Sequence, residues 1–200
     1  MKRLLVALAT LVGAGIISVL CAGWLLAHPI QTPIGNPPGD LNAQPVVFAS
    51  DSGANVHGWW CPTQNSRGAV LLLLGIRANR LSMVDRAGFL RRAGYSVLLI
   101  DFQATGETKG DHITFGWKES LDVLAAVDFI RHIDRTDRVA IIGSLLGGVA
   151  ALLTTRPLNV DALVLACSSA RDLRSSSGSC RTLDMSIFTE QRARSTNRAC

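Results

Sequence analysis

The stretch Ile141-Ile142-Gly143-Ser144-Leu145-Leu146-Gly147-Gly148 decides how this chain is read. It joins an apolar run, 138–142, to a short helical stretch, 147–155, that stops before Pro157. A strand that turns sharply into a helix brings its backbone very close to itself. Small residues are needed on either side of the apex, and Gly143, Gly147 and Gly148 supply them. Gly143 and Gly147 bracket Leu145, and Ser144 lies one position before that apex. A residue at such an apex is lifted above the sheet, and the N–H that follows it is free to face developing negative charge.

Working outward, the same grammar repeats. Residues 69–74 are a continuous apolar run, and 96–100, 138–142 and 162–167, apolar after Ser96 and Arg138, read as further strands buried on both faces. Between them lie helical patterns at 80–93, 117–133 and 147–155. In the first, Met83, Ala87 and Leu90 share a face, and Gly94 closes it at a C-cap position. In the second, Leu121, Leu124, Ala125 and Val127 point inward. Before these come two short strands, 46–50 and 54–61, separated by the turn Asp51-Ser52-Gly53. Buried strands alternating with helices predict an α/β fold with a mostly parallel sheet covered on both faces. Right-handed crossovers then limit its topology.

The N-terminal stretch is of another kind. Residues 4–27 carry no charge over 24 positions, roughly 36 Å of helix at about 1.5 Å per residue, enough for a hydrocarbon core of about 30 Å. Lys2 and Arg3 precede it, which predicts a single-pass transmembrane helix with its N-terminus cytoplasmic and the domain on the outer side. A cleaved signal peptide is the competing reading, but the run is long for one and Leu25-Leu26-Ala27 is a poor cleavage site. A lipidated Cys21 is disfavoured by Leu20 before it. Residues 28–45 hold Pro29, Pro33, Gly35, Pro37, Pro38, Gly39 and Pro45 and read as a semi-extended spacer. The domain is expected over 46–170.

Residues 171–200 break the pattern. They contain six of the chain's 20 basic residues, all arginine, and no sustained apolar period. A disordered tail and a change of reading frame are both compatible with that composition. The strand at 162–167 is then expected at a sheet edge with exposed apolar side chains, an aggregation hazard. The net charge of +5 is modest, and the basic tail has a single aromatic, Phe188, so no nucleic-acid partner is expected. The cysteines, Cys21, Cys61, Cys167, Cys180 and Cys200, form no C-x-x-C pair. No metal and no cofactor are expected, and Asp111-His112 reads as a solvated turn. Arg77, Asn79 and Arg80 read as solvated residues at a helix start, with contact to an anionic substrate as the alternative. His57-Gly58-Trp59-Trp60 reads as a strand that packs its indoles into the domain edge.

Three motifs, in order, carry a family resemblance over about 46–166. Leu71-Leu72-Leu73-Leu74-Gly75 is similar to the strand ending in His-Gly, Asp101-Phe102-Gln103-Ala104-Thr105-Gly106-Glu107-Thr108 to an Asp-x-x-x-x-Gly-x-Ser turn, and Gly143 to Gly148 to the G-x-S-x-G nucleophile elbow. Together they resemble the N-terminal part of the α/β-hydrolase superfamily, of serine esterase or peptidase type. The resemblance implies a partial α/β-hydrolase fold behind a membrane anchor, and a small-molecule ester or peptide as substrate if the chain is active. It also implies backbone oxyanion donors near Ile76 and Leu146. Three positions depart from it. Leu74 replaces the histidine, Thr108 the serine and Leu145 the nucleophile, with Ser144 a displaced alternative. The family's acid and histidine follow the nucleophile, whereas His28, His57, His112 and His132 all precede the elbow. The expectation is an acyl hydrolase by family with impaired catalysis; the alternatives are a non-catalytic binding or regulatory protein and a decayed, truncated product.

The anchor reading has a direct consequence. The protein should resist extraction by alkaline carbonate, and residues after Ala27 should be accessible from the outer face of the membrane. Recovery of a soluble form beginning near His28 would favour the signal peptide instead.

Overall fold

A computed structural model describes residues 2–134 and 138–166; the 171–200 stretch and its two readings lie outside the described residues. The chain opens with helix α1 (Lys2–Ala27) and a short strand β1 (Ile30–Gln31). Strands β2 (Gln44–Ala49) and β3 (Asn55–Cys61) follow as an antiparallel hairpin. Then come β4 (Ala69–Leu73), a 3-10 turn (Arg80–Met83), α2 (Val84–Arg92) and β5 (Ser96–Ile100). After them run β6 (Thr105–Gly106), α3 (Trp117–Ile133), β7 (Val139–Ser144), α4 (Leu146–Leu152) and β8 (Ala162–Ala166).

The main sheet has the order β2-β3-β5-β4-β7-β8 and is parallel from β5 onward. Period-two burial explains its two covers. Val70, Leu72, Val97 and Leu99 cluster with Met83, Ala87 and Leu90 from the α2 side. Their neighbours Leu71, Leu73, Leu98, Ile100 and Ile141 cluster with Val123, Val127 and Ile130 of α3 and Ala150 and Ala151 of α4. Both faces are therefore dry, and β4 and β5 have no exposed position. Gly58 lets β3 lie against β5, because a Cβ there would meet the Leu99 carbonyl oxygen at 2.6 Å. Among the described residues β8 forms one edge of the sheet, with Leu165 49 % exposed.

Among the boundaries that differ from the sequence reading, α4 ends at Leu152 rather than 155 and β2 spans Gln44–Ala49 rather than 46–50, and two differences have local reasons. The helix expected at 80–93 begins as a 3-10 turn. The Asn79 side chain accepts from Leu81 N–H at 3.1 Å, and Arg80 N–H donates to Asp101 Oδ1 at 2.8 Å, which tightens the first turn. Strand β7 runs on to Ser144 because β8 pairs with it there, Gly143 opposite Leu165 and Ser144 opposite Ala166.

The proline-rich stretch after α1, read as a semi-extended spacer, is bonded to the domain. Strand β1 pairs in parallel with β6, and both Ile34 and Gly35 N–H groups donate to Glu107 Oε1 at 3.1 Å. Prolines 29, 33, 37 and 38 forbid a helix, but they leave the intervening amides free to bond outward. Burial pushes the Glu107 carboxyl up, yet the Arg80 hydrogen bond and those two amides outweigh it and hold it below its ordinary value. A depressed carboxylate stabilises the fold above its ordinary pKa, and this contribution disappears as pH falls through the lowered one. The tie therefore persists at neutral pH and loosens only in acid. Glu107→Gln is expected to speed hydrogen–deuterium exchange at Ile34 and Gly35 by about tenfold, the low end for bonds to a charged acceptor. Unchanged exchange would mean that β1 pairing alone holds the segment.

Candidate active site

At the β7–α4 junction Leu145 has φ 44° and ψ −104°, a conformation that non-glycine residues rarely adopt. Such backbone costs about 1–3 kcal/mol and persists only where the surroundings enforce it. The enforcement is steric. A Cβ at Gly143 would meet Gly148 N at 2.7 Å, and one at Gly147 would meet the Leu73 Cβ at 2.5 Å and its carbonyl oxygen at 2.9 Å. The Gly147 N–H donates to the Leu74 carbonyl at 3.0 Å, which fixes the start of α4 against the end of β4.

This geometry separates the two candidate positions. Leu145 is lifted out of the sheet and is 54 % exposed. Ser144 is the last residue of β7 and is 6 % exposed. Among the described residues no hydrogen bond joins Ser144 Oγ to a histidine or a carboxylate, as activation of a serine would need. The Ile76 and Leu146 amides have no acceptor among the described residues, as befits a loop and the first turn of a helix. An apolar groove of about 440 Å³ opens beside them, lined by Ile76, Phe115, Leu145, Val149, Leu152 and Leu165. Leu74, at the histidine position of the first motif, is fully buried.

The turn after β5 is organised by Asp101. Its carboxylate accepts from Arg80 N–H and from Glu107 N–H at 3.1 Å, and it is ion-paired with the Arg80 guanidinium. Gly106 has φ 54°, and a Cβ there would overlap the Asp101 carboxylate. Thr108 Oγ1 donates to the Asp101 carbonyl at 2.8 Å and accepts from His57 N–H at 2.9 Å. A hydroxyl is what the position uses, so threonine serves as well as serine.

Arg80 corrects the sequence reading. It is not a solvated residue at a helix start; it is 2 % exposed, paired with Asp101 and Glu107, and lies over the Trp59 indole at 4.7 Å. Burial pushes the Asp101 carboxyl up, against the opposing pull of Arg80. The signal was available only as an arginine beside an Asp-x-x-x-x-Gly turn, since their contact spans 21 residues of sequence.

A second polar cluster had no sequence signal. Gln103 N–H donates to Asp122 Oδ2 at 2.8 Å, and Gln103 Nε2 donates to Glu119 Oε1 at 2.8 Å and to the His112 carbonyl at 2.7 Å. Ser52 Oγ donates to Asp122 Oδ1 at 2.6 Å. Burial raises the Asp122 carboxyl; at Glu119 the hydrogen bonds, led by Thr114, overcome burial and lower it. Glu119 also accepts from the Thr114 and Gly116 amides, so the cluster fixes the loop that carries Phe115 to the groove. The Cys61 thiol is buried and pushed up by that burial to about 11, far from a thiolate nucleophile. No group of three His, Cys, Asp or Glu among the described residues is placed to hold a metal ion.

The architecture and the strand–elbow–helix junction define the class: an α/β-hydrolase fold, present in part. The Pyrococcus furiosus esterase Pf2001 superposes with a TM-score of 0.60 at 26 % identity, over 69 % of this chain and 55 % of that one. A lidless α/β serine hydrolase of Xanthomonas campestris gives 0.53 at 18 % identity, over 65 % and 63 %, a likeness of fold alone. In sequence the chain is 26 % identical over 120 residues to the uncharacterised protein YfhR of Salmonella typhimurium, 56 % of this chain and 40 % of that protein. It thus spans about two fifths of the length of this curated relative. No protein-family model matches the chain. The relationship to the α/β-hydrolase superfamily accordingly covers the described domain.

The close approach at Gly147 can be tested. Gly147→Ala should destabilise the domain by about 2–3 kcal/mol, the upper range for overpacking, because the methyl would press on backbone and Cβ atoms. Urea denaturation monitored by the buried tryptophans would measure it; a change below about 0.5 kcal/mol, as at ordinary surface sites, would mean that α4 does not seat on β4 this closely.

Proposed function

We propose that the protein is a membrane-anchored member of the α/β-hydrolase family whose elbow does not perform acyl transfer. One observation carries this reading: the strained apex that presents the nucleophile in this fold is occupied by Leu145. A leucine side chain has no lone pair to attack a carbonyl and no proton to yield to a base. Free amides at Ile76 and Leu146 support a surviving oxyanion hole, but a hole without a nucleophile leaves only a small acceleration. Helix α1 supports the anchor, since Thr10–Ala27 is long and apolar enough to cross a membrane. Lys2 and Arg3 before it support a cytoplasmic N-terminus and a domain on the outer side.

The groove favours a second reading within the same fold, a protein that binds an apolar ester or peptide without cleaving it. It is lined by side chains of one chemical kind, without an ionised group. Such a site fits the apolar portion of a ligand.

The purified full chain should hydrolyse p-nitrophenyl butyrate no faster than buffer. Leu145→Ser alone should not restore turnover, because an unassisted serine hydroxyl is a weak nucleophile. Saturable hydrolysis by the unaltered chain, abolished by Ser144→Ala, would overturn the proposal and make Ser144 the nucleophile.

A further inference from the structure

We propose that the face carrying Ile76, Phe115, Trp117 and Leu145 lies in the headgroup region of the bilayer that α1 enters, with the groove open to phospholipid acyl chains. The inference rests on the anchored reading of α1 given above.

The end of α1 is bonded to the two loops that frame the groove. Arg77 donates through its guanidinium to the Leu25 carbonyl at 2.6 Å, and Ile113 N–H donates to the Ala27 carbonyl at 2.8 Å. Both carbonyls belong to the last turn of the helix, where no amide within the helix can reach them. Ala27 also ends the apolar span, and so marks where hydrocarbon gives way to headgroups. Ile76 adjoins Arg77, and Phe115 lies two residues beyond Ile113. At about 3.8 Å between consecutive Cα atoms, both lie within roughly 8 Å along the chain from a residue bonded to the helix end. The headgroup layer on each side of the hydrocarbon is about 5–8 Å thick, so these residues cannot stand far from it.

The exposed side chains there suit that layer. Trp117 is 70 % exposed, and Phe115, Ile76 and Leu145 are each more than a third exposed. Aromatic rings at this depth are the usual interfacial anchors. The presentation is built into the backbone: Arg77 and Phe115 have φ of 55° and 52°, both in the left-handed region that large residues avoid. The 115–117 loop is continuous with the groove wall, because a Cβ at Gly116 would meet Val149 Cγ1 at 2.8 Å and Leu153 Cδ1 at 2.9 Å. Four exposed apolar side chains, three of them lining the groove and Trp117 beside it, thus stand next to a helix end, and one bilayer accounts for all of them.

The test uses the full chain reconstituted in phosphatidylcholine vesicles doped with a phosphatidylcholine that carries a diazirine on its acyl chain. After irradiation, adducts are mapped by mass spectrometry, and a parallel sample is washed with alkaline carbonate. Adducts are expected on α1 and also on the peptides containing Ile76, Phe115, Trp117 and Leu145. The double variant Phe115→Glu, Trp117→Glu alters two exposed side chains and should lower the domain adducts at least fivefold, with α1 adducts unchanged. Carbonate-resistant protein with adducts on α1 alone would overturn the inference and leave the anchor intact. Domain adducts undiminished in the double variant would also overturn it. Release by carbonate without α1 adducts would remove the anchored reading and this inference with it.

Discussion

The first turn of α4 rests directly on the backbone of β4. Leu74 accepts the Gly147 amide, and Gly147 and Gly143 leave no room for a methyl group at the contact. This approach sets the height and direction of the apex between them. It forces Leu145 into a conformation that it would not choose, since no other route connects Ser144 at the end of β7 to a helix seated so low. The amide of Leu146, the wall formed by Val149 and Leu152, and the groove they share with Ile76 all follow from that seat. The apex is thus set by Gly143 and Gly147, and whatever residue occupies it is lifted out of the sheet.

A second constraint acts at the same, C-terminal end of the parallel strands, after β5. Arg80 is buried between Asp101 and Glu107 with the Trp59 indole against it, and loss of both carboxylates would leave its buried charge uncompensated. Through Glu107 the pair reaches the Ile34 and Gly35 amides, and through the Asp101 turn it reaches β6 and its partner β1. The segment between α1 and the domain is therefore part of the domain. Hydrogen bonds from Arg77 and Ile113 join the end of α1 to the loops beside the groove.

How much of this could be read from the sequence depends on the range of each interaction. The buried strands were legible because Ala69-Val70-Leu71-Leu72-Leu73 and Ser96-Val97-Leu98-Leu99-Ile100 leave no polar face, and the elbow was legible because its glycines are local in sequence. The order of motifs placed them in one sheet. Arg80 was misread because a charged residue near a helix start looks solvated unless its partner 21 residues away is known to lie beneath it. The same holds for Gln103, Glu119 and Asp122, whose hydrogen bonds to Ser52 and to one another join three separate elements. Within 28–45 the only helical turn described is the short 3-10 turn Gly39–Leu41, and the prolines carry no information about which amides find partners elsewhere. The 3-10 start of α2 depended on a bond from Arg80 N–H to Asp101, again invisible to a local pattern.

On the proposed function, Leu145 and not Ser144 occupies the position from which this fold attacks its substrate. Treatment of the folded full chain with a fluorophosphonate, followed by peptide mapping, tests it most directly, because the reagent marks only a serine that is both activated and presented to solvent. No adduct is expected at Ser144, whose place in β7 keeps it 6 % exposed. Stoichiometric labelling of Ser144, abolished by prior unfolding of the chain, would contradict it.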